Sequence, residues 1–234
     1  MEAKRMLLML LASLSAACAH QAGEGAEEID KSVNITRRVH TDSPAHVMVT
    51  PMTEIPPVSD IKTLAVKLCR RYPNERKLRQ LDVGDELCTA LARLPEGHVA
   101  GNFITNPNPN VRQPNCTIPD KLWDPIRKEI ISSWNPATGT GMEGDAHGHI
   151  DRDDFPSYGD FVTAYDMADQ FKTVHYFRVM CTTGGDAFLY TLPSGLIEKN
   201  LASSKDDDWT DVGTAKVTKI DEAHMRLDIH LKRR

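Results

Sequence analysis

Met225-Arg226-Leu227-Asp228-Ile229-His230-Leu231-Lys232 alternates apolar and polar residues without a break. Successive side chains of a strand point to opposite faces, so Met225, Leu227, Ile229 and Leu231 share one face. Arg226, Asp228, His230 and Lys232 share the other. This is the pattern of a strand with one face on a core and one in water. Working backwards, Thr214 to Ile220 pairs with it as a hairpin about Asp221-Glu222-Ala223-His224. Lys172 to Cys181, rich in β-branched and aromatic residues, pairs with Ala187 to Leu192 across the turn Thr183-Gly184-Gly185-Asp186. The polar stretch 198–212, with Asp206-Asp207-Asp208, reads as a solvated loop.

Ahead of these strands the apolar spacing is helical. Ile61, Leu64, Ala65, Leu68 and Tyr72 fall on one helix face after the N-cap candidates Ser59 and Asp60, and Pro73 is expected to end the helix. Leu87, Leu91 and Leu94 predict a second helix over 85–94. Asp124-Pro125, followed by Ile126, Ile130, Ile131 and Trp134, predicts a third. Phe161, Tyr165 and Ala168 predict a fourth over 160–171. Helices first and hairpins after give an α+β expectation: N-terminal helices packed on a C-terminal antiparallel sheet of two or more hairpins.

The first 58 residues read differently. Lys4 and Arg5 precede the apolar run Met6 to Leu14, and small residues follow. This is the layout of a signal peptide, too short to span a bilayer. Ala17-Cys18-Ala19 offers a cleavage site that leaves His20 first. Leu14-Ser15-Ala16-Ala17-Cys18 is similar to a bacterial lipobox, in which Cys18 would carry lipid. It departs from that pattern because Ser15, not an aliphatic residue, stands three before the cysteine. The expected division is a signal peptide over 1–19, a flexible tether over 20–58 and one α+β domain over 59–234.

The chain has 234 residues and five cysteines. With Cys18 assigned to export, Cys69, Cys88, Cys116 and Cys181 form an even set, read as two disulfides of an exported protein. Cys69 and Cys88 fall beside the stripes of the first two expected helices, which suggests a bridge between them. The 28 basic residues are outnumbered by 33 acidic ones, for a net charge of −5. That balance argues against a nucleic-acid partner, because neutralising phosphates requires a basic face.

The densest polar segment is Glu143 to Phe155, and it admits three chemical readings. As a calcium loop it would use Glu143, Asp145, Asp151 and Asp154 around Gly148. As a zinc site on an extended segment it would use His147, His149 and Asp151 from one face. As a cysteine hydrolase it would pair Cys88, at a helix start, with His149 as base and Asp151 or Asp160 as orienting carboxylate. The bland alternative, an exposed polar loop without catalytic duty, outweighs each of them. The resulting expectation is a bacterial cell-envelope protein, held to the membrane only through a lipid anchor. It would bind an envelope protein, a peptide or a small ligand, with calcium or zinc as the cofactors to consider. An enzyme acting on envelope material through residues 143–155 is the alternative.

Overall fold

A computed structural model of the protein describes residues 28–36, 48–81, 86–105, 118–148, 155–221 and 223–232. The elements begin with β1 (Glu28–Thr36), β2 (Val49–Pro51) and helix α1 (Ile61–Leu78). Strands β3 (Cys88–Leu94), β4 (Gly97–Ala100), β5 (Lys121–Asp124), β6 (Glu129–Ile131) and β7 (Gly141–Gly148) lead to helix α2 (Tyr158–Phe171). The chain then builds β8 (Tyr176–Cys181), β9 (Ala187–Leu192), β10 (Leu196–Asn200), β11 (Thr210–Lys219) and β12 (His224–Lys232).

Nine of these strands make one sheet in the order β1-β12-β11-β10-β9-β8-β7-β3-β4, and β2-β5-β6 make a small second sheet. The α+β expectation is therefore corrected. The described residues are 46% strand and 19% helix, with two helices, and strands from both ends of the chain build the large sheet. That sheet is antiparallel except where β7 and β8 run parallel, with α2 as the crossover between them. The central strands are covered on both faces. α1 packs over β4, β8 and β9 on one side, and α2 packs over β7, β8 and β11 on the other.

Two expected helices are strands, for different reasons. Residues Cys88–Leu94 form the next-to-last strand of the large sheet, between β7 and β4, and nearly every side chain is buried on both faces: Thr89, Ala90 and Ala92 as much as Leu91 and Leu94. A short run that is apolar on all sides fits a doubly covered strand as well as a helix, and leucine spacing alone cannot separate them. At residue 124 the capping chemistry is real but caps a turn. Asp124 Oδ1 accepts from the backbone N–H groups of Ile126 at 2.8 Å and Arg127 at 3.0 Å. The chain then returns as the β5–β6 hairpin, leaving Ile126 87% exposed.

The other two helices are close to expectation. Asp60 caps α1 through Lys62 N–H at 3.3 Å. The helix runs past Pro73 to Leu78, because Leu64, Ala65, Leu68, Cys69 and Tyr72 already anchor it on the sheet. α2 starts at a capping box in which Ser157 and Asp160 satisfy each other's backbone groups. Of the stretch expected to be a tether, the described part is strand at 28–36 and 49–51. β1 pairs residue for residue with all of β12.

A buried disulfide joins Cys69 of α1 to Cys181 of β8. The Cys69–Cys88 bridge suggested by the spacing is thereby corrected: Cys69 faces the sheet centre, where β8 presents Cys181. Cys88 is itself disulfide-bonded, while Cys18 and Cys116 lie outside the described residues.

Candidate functional site

β7 carries Glu143 to Gly148, the first part of the polar segment that the sequence singles out, and these residues are not an exposed loop. All eight of its residues are buried between β3 and β8. Its pattern has a two-residue period. Gly144, Ala146 and Gly148 turn toward α1, and a Cβ on Gly148 would lie 1.7 Å from Cζ of Tyr72. Those small residues let the helix come close. Asp145 and His147 therefore point the other way, under α2.

There they meet three further polar groups. β8 lies in parallel register with β7, opposing Asp145 with Arg178. Arg178 Nη1 is 3.1 Å from Asp145 Oδ2, and Nη2 is 3.2 Å from Asp160 Oδ1. The Tyr176 hydroxyl donates to Asp145 Oδ1 at 2.5 Å. His147 Nε2 is 2.9 Å from Asp160 Oδ1, and its Nδ1 is 3.7 Å from Asp145 Oδ2. Asp160 has two duties. Its Oδ2 accepts from the Ser157 N–H at 2.7 Å and hydroxyl at 2.9 Å, while its Oδ1 takes Arg178 and His147.

The electrostatics follow from this packing. Burial and the Arg178 charge push the His147 imidazole down, and the carboxylates of Asp160 and Asp145 push it up by more, so its pKa is raised above 6.5. Burial opposes the Arg178 charge, and Asp145 and Asp160 outweigh that burial, which raises its pKa too. Burial first, then the Asp145 charge, lifts the Tyr176 phenol well above its ordinary value. With His147 protonated, two cations and two carboxylates balance.

A second polar cluster sits near the α1 side. β7 pairs with β3 through a register shift between Leu91 and Ala92, which leaves Glu143 as the extra residue. Its Oε1 lies 2.5 Å from His98 Nδ1 of β4, and Arg93 of β3 donates to His98 Nε2. Because Nε2 accepts, Nδ1 holds the ring proton and donates it to Glu143.

Measured against the sequence readings, Glu143, Asp145 and Gly148 are strand residues and do not curl into a calcium loop. Asp145 and His147 converge, yet the guanidinium of Arg178 occupies the space between Asp145 and Asp160. Among the described residues no group of three or more His, Cys, Asp and Glu is placed to hold a metal ion. His149, Asp151 and Asp154 lie outside the described residues. Cys88 is in a strand and disulfide-bonded, so the helix-start argument for an activated thiol does not apply to it. Arg178, Tyr176 and His98 escaped the sequence reading. A lone arginine inside the run Tyr176-Phe177-Arg178-Val179-Met180-Cys181 was the available signal, since a charge in a buried strand needs a partner.

The arrangement acts as a charged clasp between α2 and the sheet. Its groups are buried and already ion-paired with one another. Among the described residues no helix is long and apolar enough to cross a membrane. No protein-family model, curated protein or solved structure matches the chain.

Proposed function

We propose that this chain is an exported protein of a bacterial cell envelope, either lipidated at Cys18 or cleaved to start at His20, that works as a non-enzymatic binding module. One observation carries the reading: the Cys69–Cys181 disulfide ties α1 to the centre of the large sheet, with both cysteines inaccessible to solvent. Disulfides of this structural kind belong to oxidising compartments. The state of the histidine and carboxylates supports a binding duty over a catalytic one. His147, Asp145 and Asp160 spend their charges on Arg178 and on one another, in the interior. The partner is an envelope protein, a peptide or a small ligand, and a lipid on Cys18 supplies the contact with the membrane.

The test is to express the full chain with its own N-terminus in a Gram-negative host, isolate the envelope fraction, and measure the N-terminal peptide by mass spectrometry. An acylated Cys18 or a start at His20, with no reactive thiol among Cys69, Cys88, Cys116 and Cys181, is expected. An unprocessed Met1 with four reactive thiols would overturn the reading.

A further inference from the structure

Over β9, β10 and β11 the sheet surface is left with a hollow of about 440 Å³. Its floor comes from a lateral row: Phe188 of β9 opposes Lys199 of β10, which opposes Thr210 of β11. A register shift follows. The pairs Glu198–Asp211 and Ile197–Gly213 leave Val212 as an extra residue, and Val212 lines the hollow. Gly213 makes that bulge possible, with φ of +144° and its missing Cβ only 2.2 Å from the His230 carbonyl oxygen. Phe155 stands edge-on to Phe188 at 5.7 Å between ring centres and closes one wall.

Two ammonium groups lie at this hollow, one on the floor itself and one beside it. Lys199 Nζ sits 5.0 Å above the Phe188 ring and 3.2 Å from Asp186. Lys232, more than half exposed, is paired with Asp211. An ammonium has three donors, so each keeps N–H groups for a further anion after its aspartate is served. Asp208 also lines the hollow and disfavours an anionic head beside it. The volume is that of a small-molecule site, and the lining combines aromatic surface with a few polar groups, as such sites do.

We propose that this hollow binds a small amphiphilic monoanion, with its apolar part against Phe155, Phe188 and Val212 and its anionic head between Lys199 and Lys232. This deepens the binding-module reading and rests on it. The probe is decanoate, titrated into the full chain by calorimetry at about 0.15 M salt, where exposed charges more than about 8 Å apart are screened. One saturable site is expected. Decyltrimethylammonium, with the same tail and the opposite charge, is expected to bind at least about tenfold more weakly, a difference of about 1.4 kcal/mol. The Lys199→Met/Lys232→Met variant is expected to lose about tenfold or more for decanoate. Three results would each overturn the proposal: no saturable decanoate site, equal binding of the cationic amphiphile, or unchanged decanoate affinity in the double variant. The cationic comparison uses the parent protein and so stands even if the variant fails to fold. Co-sedimentation with phosphatidylglycerol vesicles in the absence of a decanoate site would assign the lysines to a lipid surface and likewise defeat it. Correct processing at Cys18 alongside a failed titration removes this ligand and leaves the exported-module reading intact.

Discussion

Arg178 of β8 places one guanidinium nitrogen 3.2 Å from Asp160 of α2, and that pair fastens the crossover helix to the sheet beneath it. Both side chains are more than nine-tenths buried. Removing one member of a buried pair strands the other's charge in a medium that solvates it poorly. Arg178→Met therefore costs about 3–5 kcal/mol, measured by urea unfolding. Asp160→Asn on top of it costs much less than it does alone, because the two share one interaction. Strict additivity of the two losses would show that Arg178 and Asp160 act independently.

His147 gives stability a pH dependence whose sign is fixed by its surroundings. Its folded-state pKa lies above the unfolded value near 6.5. The stabilisation is fully present below that unfolded value and is lost as pH rises through the folded one. The melting temperature of the parent protein should fall across this window on the alkaline side of 6.5. In His147→Gln the curve over the same range should be flatter. An identical slope in the variant would place the titration elsewhere.

The Cys69–Cys181 bridge spans 112 residues of sequence. A cross-link over so long a stretch restricts the unfolded chain strongly, and losing it costs about 2–5 kcal/mol. Cys69→Ser/Cys181→Ser should unfold at correspondingly lower urea concentration. Reducing the parent protein should shift its midpoint in the same direction, and a variant as stable as the parent would contradict the structural role given to the bond.

Gly148 faces Tyr72 with no room for a methyl group. Gly148→Ala should destabilise by about 1–3 kcal/mol through overpacking. Adding Tyr72→Leu should cost less than Tyr72→Leu costs in the parent, since the smaller side chain relieves the clash. Thermal unfolding of the four proteins in this cycle tests it.

How far the sequence disclosed this depends on what each residue reports. The start of α1 was legible because Asp60 and the Ile61–Tyr72 stripe agree, and the last strand was legible because β12 has one wet face. β3 was not, because burial on both faces erases the alternation that distinguishes strand from helix. β1 was missed because Asp30, Lys31, Ser32 and Asn34 make an edge strand look like linker, and it takes β12 to turn Val33 and Ile35 into sheet residues. At the site, glycine and aspartate in 143–148 suggested a loop. Residues 144–148 carry a period of two, Asp145 and His147 on one side and Gly144, Ala146 and Gly148 on the other. That alternation points to a strand approached closely by a helix.

The pairing of β1 with β12 also sets the order of events in the life of the chain. Residues 28–36 leave the ribosome long before their partners at 224–232. The sheet edge is therefore completed only after residues 224–232 have been made. Such distant pairing is slow to form. Until those residues emerge, β1 has no partner in the sheet and the chain stays open at that edge.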